Sequence, residues 1–144
     1  MTSSELDVSS AECGLAVLVD LCEHAIEEIG TTVPPVQLRA LLLLDEAGGL
    51  NLSRLAQALT ASASASSRLL DRMQAAGLVS RRRAPSSRRE IMVVPTESGR
   101  RLATWVRSRR RAAIARLLER MSAEGRVALA RGLAELATTS PARG

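Results

Sequence analysis

The sequence predicts a mainly helical α+β fold, a winged helix-turn-helix flanked by N- and C-terminal helices that pair two copies. Three observations carry this expectation. Between Leu50 and Ala76 two short helical patterns are joined by a tight connection; from Leu78 to Val94 two strand-like runs flank an arginine-rich turn; and both chain ends carry helices with more apolar surface than one domain needs. A helix pair followed by a basic hairpin is a layout suited to reading duplex DNA.

The elements follow in order. Ser9-Ser10-Ala11-Glu12 is expected to cap a first helix, because a serine oxygen accepts the orphan amide hydrogens of a first turn. Leu15, Leu18, Val19, Cys22, Ile26 and Ile29 then recur at helical spacing, and Gly30 closes the helix. Thr32-Val33-Pro34-Pro35 restarts a helix with proline in its first turn, where the missing donor costs nothing. Val36 to Glu46 is apolar almost all round and reads as buried, ending at Gly48-Gly49. Ser53 is expected to cap a short helix to Leu59, and Ser62 a second to Ala76, with Gly77 suited to a left-handed terminus.

Leu78–Arg83 and Glu90–Val94 read as strands around Ala84-Pro85-Ser86-Ser87. Thr96 caps a long helix to about Met121, Ser122-Ala123-Glu124 opens a last one to about Ala137, and residues 138–144 read as a frayed tail. The expected organisation is one domain over 1–144, with residues 33–98 as the DNA-binding part and 9–30 and 99–138 as dimerisation helices.

Composition limits the function classes. A hydrophobic fraction of 46% rules out general disorder. All twenty basic residues are arginine. Their placement says more than the net charge of +5: residues 1–50 hold nine acids and only Arg39, a net of −8, while residues 51–144 hold nineteen arginines against six acids, a net of +13. Such asymmetry suggests a face made for a polyanion. Two cysteines are too few for a disulfide scaffold. The acidic MTSSELDVSSAEC start is not a signal peptide, and no run approaches the ~20 apolar residues of a membrane span, so a cytoplasmic, nucleoid-associated protein is expected. One histidine, no carboxylate pair on a shared face and no glycine-rich phosphate loop argue against an enzyme, and no cofactor is expected.

On a helical wheel Ser64, Ala65, Arg68, Asp71 and Arg72 fall on one side, and Ser66, Leu69, Leu70, Met73 and Ala76 on the other. The small, cationic face fits a major groove about 12 Å wide. Arg68 is placed to reach a guanine or a phosphate. Asp71, facing phosphates, is expected to fix the rotamer of Arg68, and Ser66 to bury its hydroxyl against the Ser62 carbonyl. Ser53, Arg54, Ser62 and Ser67 complete the expected contacts from the helix pair. On the wing, alternation puts Arg81 and Arg83 on one strand face and Arg82 on the other; Arg88 and Arg89 follow the tip, where an arginine suits a narrow minor groove.

These residues in this order resemble the MarR family of bacterial transcription regulators, over about Val33 to Met121: VPPVQLRALLLL, SRLAQAL, S-x-S-x-x-S-R-L-x-D-R-M-x-x-x-G-L-V, and RR followed by a strand and P-T-E-S-G. The resemblance implies a triangular homodimer knitted by the first and last two helices, Ser62–Ala76 as recognition helix, and Arg89, assisted by Arg88, as the wing arginine. Two departures stand out. Ser87 occupies the position of a usual acidic residue, and Ala65-Ser66 that of a frequent Thr-Val.

The resemblance also raises a small-molecule, redox or metal signal. With no Tyr or Phe and only Trp105, an aromatic platform for a phenolic effector is lacking, so any small-molecule effector is unknown. Cys13, Cys22 and His24 cannot share one metal within a single helix, so no metal site is expected. Cys13, near a helix start, is the candidate redox sensor, with Glu12 beside it opposing that role. Taken together the sequence expects a dimeric regulator of double-stranded DNA, a repressor on a pseudo-palindromic site; a protein-interaction adaptor or a non-specific architectural binder is the alternative.

Overall fold

A computed structural model describes residues 3–85 and 87–139. The chain runs α1 (Ser3–Glu27), α2 (Pro35–Ala47), β1 (Leu50–Asn51), α3 (Leu52–Leu59), α4 (Ala63–Ala75), β2 (Val79–Ala84), β3 (Ser87–Pro95), α5 (Glu97–Glu119) and α6 (Ala123–Thr139). The strands form one antiparallel sheet in the order β1-β3-β2. Two compact units result, one spanning Thr32–Trp105 and the other combining the chain up to Thr31 with the chain from Val106 onward. The expected mainly helical winged helix-turn-helix is the observed fold.

In the first of these units, Pro35 opens α2 and Gly48 ends it at φ 69, in the left-handed region. Leu41 and Leu44 from α2, Leu55 from α3, Leu70 and Met73 from α4, and Val93 from β3 form its fully buried centre. Each such side chain contributes about 1.5–3 kcal/mol over its exposed state, so these residues hold α2, α3, α4 and the sheet together. The helix-turn-helix and its hairpin therefore share one core.

Three helix starts repay comparison with expectation. α1 begins at Ser3, so Ser9 and Ser10 sit inside the helix rather than capping it. Interior serine costs only a fraction of a kcal/mol, about 0.5 relative to alanine, and the flanking Glu and Leu residues favour helix. α3 is capped not by Ser53 but by Asn51, whose side-chain oxygen accepts the Arg54 N–H at 2.8 Å. Asn51 keeps an extended backbone (φ −76, ψ 164), the geometry a cap requires, and Ser53 lies in the first turn. Thr96 behaves as expected: its hydroxyl accepts the Gly99 N–H at 3.1 Å.

In the second unit Ser122 caps α6 by accepting the Gly125 N–H at 3.0 Å. Arg126 turns back to donate to the Leu118 and Met121 carbonyls at 3.3 and 3.0 Å, satisfying the open end of α5. Ala25 and Ile29 are buried, but Leu15, Val17 and Val19 on α1 are exposed. α6 has no buried residue, and Val127, Leu133 and Leu136 face outward. Leu15, Leu18, Leu117, Met121, Leu129, Leu133 and Leu136 line an apolar groove of about 590 Å³.

Cys13 is exposed and Cys22 half-buried. His24 hydrogen-bonds through Nδ1 to the Asp20 carbonyl at 2.7 Å; this bond, aided by nearby Glu27, raises its pKa. Among the described residues no helix is long and apolar enough to cross a membrane.

Candidate nucleic-acid interface

Helix α4 is fixed at both ends by local chemistry. At its start Ser62, extended at φ −67 and ψ 156, accepts the Ala65 N–H on its hydroxyl at 3.2 Å. At its end the Leu78 N–H reaches the Met73 carbonyl and the Gly77 N–H the Gln74 carbonyl, both at 2.9 Å. That is the Schellman pattern, and Gly77 supplies its left-handed residue at φ 71. The Thr96 hydroxyl then donates to the Gly77 carbonyl at 2.6 Å, tying the end of α4 to the start of α5.

Between these ends α4 divides as its wheel predicts. Leu69, Leu70, Met73 and Ser66 are buried; Ser62, Ser64, Arg68, Asp71 and Arg72 are exposed, with Ala65 and Ser67 half-buried between the faces. Ala76, expected on the apolar side, is exposed because it is the C-cap and the chain is already leaving the helix there.

Ser66 is buried as expected, at 1% exposure, but its hydroxyl makes no bond to Ser62. The Ser62 carbonyl receives the Ser66 backbone N–H at 3.0 Å, while the Oγ has no partner. An unmet buried hydroxyl costs about 1–3 kcal/mol. Replacing Ser66 with alanine is therefore expected to stabilise the protein by about 1 kcal/mol, because the penalty disappears and helix propensity improves. The urea midpoint should rise with the slope unchanged; a lower midpoint would show that the hydroxyl is satisfied.

Asp71 also differs from expectation. Its carboxylate receives Arg81 Nη2 from β2 at 2.6 Å, and not Arg68. Arg81 Nη1 donates to Gln74 Oε1 at 2.8 Å, so both terminal nitrogens of Arg81 are held by residues one turn apart on α4. The strand-borne guanidinium spans two acceptors, the Asp71 carboxylate and the Gln74 amide oxygen, one through each terminal nitrogen. Arg68 and Arg72 are left exposed.

On the hairpin, Arg81, Arg82 and Arg83 are all exposed and pair across the sheet with Val93, Met92 and Ile91. The register then jumps to Ala84 opposite Ser87. Arg88 and Arg89 lie on β3 beyond that jump, and their side chains fall outside the described residues, as does Ser86 in the expected turn. At the other sheet edge Asn51 Nδ2 donates to Glu90 Oε1 at 2.7 Å. Ser53 and Arg54 are exposed on the first turn of α3.

Asn51, Gln74 and Glu90, with Thr96, thus fix the elements that carry the candidate residues. Asn51 was legible as a cap-forming type just before a helical run, whereas the partners of Gln74 and Glu90 are seven and thirty-nine residues away.

Similarity to known proteins agrees with this geometry. The MarR family model matches residues 33–91. The HTH-type transcriptional regulator YfiV of Bacillus subtilis (strain 168) is 32% identical over 100 residues, which cover 69% of this chain and 62% of that relative, so the match spans less than two-thirds of its length. The crystal structure of Rv1404 from Mycobacterium tuberculosis is 30% identical with a TM-score of 0.86, covering 98% of this chain and 97% of that one. A MarR family protein from Bacillus stearothermophilus is 25% identical with a TM-score of 0.82, over 96% and 97% of the two chains. By family model, sequence and fold alike, this chain belongs to the MarR family, whose members are transcription regulators and not enzymes.

Proposed function

We propose that this protein is a homodimeric repressor that binds a pseudo-palindromic operator in double-stranded DNA, acting in the cytoplasm at the nucleoid. The observation that carries the reading is the division of α4: its apolar face is locked in the core, while Ser64, Arg68 and Arg72 are exposed on the other. In this reading Ser64, Ala65, Ser67, Arg68 and Arg72 enter the major groove. Ser53, Arg54 and Ser62 sit at helix starts, where hydroxyls and amide hydrogens meet phosphates. Arg82 and Arg83, with Arg88 and Arg89 at the tip, supply the wing's charge to the minor groove. Residues 33–98 carry the DNA, and helices over 9–30 and 99–138 pair the copies, which a two-fold operator would mirror.

The test is selection of duplexes from a genomic-fragment library. A recovered palindrome supports the regulator; recovery without sequence preference supports an adaptor or an architectural binder. On the recovered site Arg68→Ala should weaken specific binding by about 1–3 kcal/mol and non-specific binding far less. Equal losses would remove Arg68 from base reading.

A further inference from the structure

We propose that Arg81 is a positioning residue: through Asp71 and Gln74 it sets the wing against the recognition helix and so governs sequence selectivity, without acting as a phosphate contact. This rests on the DNA-binding reading above.

The geometry is a two-point clamp. Arg81 Nη2 meets Asp71 Oδ1 at 2.6 Å and Nη1 meets Gln74 Oε1 at 2.8 Å. Asp71 and Gln74 are three residues apart, hence neighbours on one helix face. Arg81 follows Val79 by two residues and lies opposite Val93, so it shares the sheet face that packs into the core. From there its guanidinium reaches the helix that would enter the groove. The opposite sheet edge is held in the same manner, by Asn51 Nδ2 on Glu90 Oε1 at 2.7 Å. The hairpin is therefore pinned to α4 along β2 and to the start of α3 along β3.

The charge pattern favours a strut over a contact. Asp71 is the sole acid of α4 and is exposed on the same side as Arg68 and Arg72. Alone it would repel a phosphate backbone; paired with Arg81 it is neutralised. The pair carries no net charge to a polyanion, so it releases few counterions and adds little to non-specific affinity. Its effect lies in geometry. Specific binding needs the recognition helix and the wing seated together in adjacent grooves, whereas non-specific binding tolerates a loose hairpin. Exposed ion pairs add little to folding stability, so variants of this pair remain folded.

The experiment compares a duplex that the wild-type protein selects from a randomised library with a shuffled duplex of equal composition, measuring affinity against salt. For the charge-neutral double variant Arg81→Gln/Asp71→Asn, which removes the strut without leaving Asp71 unneutralised, the strut predicts an unchanged salt slope and a selected-to-shuffled affinity ratio lowered about tenfold. Asp71→Asn preserves shape but frees the Arg81 charge; affinity for the shuffled duplex should rise and the salt slope steepen by about one, while the ratio again falls. A slope shallower by about one in the double variant, with the ratio unchanged, would make Arg81 a phosphate contact and overturn the proposal. A wild-type protein that selects no sequence would instead remove the DNA-reading function, and the strut with it.

Discussion

Gly99→Ala is expected to lower stability by about 3 kcal/mol, at the upper end of overpacking costs. Gly99 is buried in the first turn of α5. A Cβ built there would overlap the Leu78 carbonyl oxygen and come within 3.1 Å of Leu41 Cδ1. Neither neighbour has room to yield. The Leu78 carbonyl accepts the Thr96 N–H at 3.0 Å, and Leu41 is fully buried in the central cluster. Moving the carbonyl would strain the link between the end of α4 and the start of α5, so the methyl group should disturb α4 as well as the core. Urea denaturation checks this by a midpoint shift at constant slope. A midpoint equal to wild type would mean that α5 can shift outward at no cost.

The second large effect is expected from Leu133→Arg combined with Leu136→Arg. Leu136 is 63% exposed and Leu133 is also exposed, on a helix with no buried residue in the chain taken by itself. Helix formation in water is marginal without packing of an apolar face, so α6 needs a surface to lie against. The groove it shares with α1 and the end of α5 is lined almost wholly by aliphatic side chains. A second copy of the chain would cover it, as an obligate interface resembles a core cut in half. Two guanidinium groups placed there would have to be desolvated without partners. The variant should sediment as a monomer, and its affinity for a two-half-site duplex should fall about a hundredfold or more as avidity is lost. A variant that stays dimeric would place the interface elsewhere, and a monomeric wild type would remove the dimer altogether.

Much of the fold was legible because it rests on local chemistry. Pro35, Ser62, Gly77, Thr96 and Ser122 each mark a helix end by a property of one residue, and the structure uses all five. The amphipathic division of α4 was legible for the same reason, since periodicity is set along a single helix. What escaped was pairing across distance. Asp71 was assigned to its helical neighbour Arg68, yet its partner is Arg81, brought close only when β2 docks. Ser66 was given a hydrogen bond to the Ser62 carbonyl that its hydroxyl does not make. Ser53 was read as the cap of α3, and β1 was not foreseen; that two-residue strand extends Asn51 and lets its side chain cap the helix instead.

Asn51 itself imposes a narrow substitution rule. Its amide oxygen serves the helix it opens and its amide nitrogen serves Glu90 on the neighbouring strand. Aspartate would keep the first duty but set one carboxylate against another; leucine would abandon both. Only a side chain that gives with one atom and receives with another suits two clients at once, so a change at this single position would loosen the entry to α3 and the anchorage of the wing together.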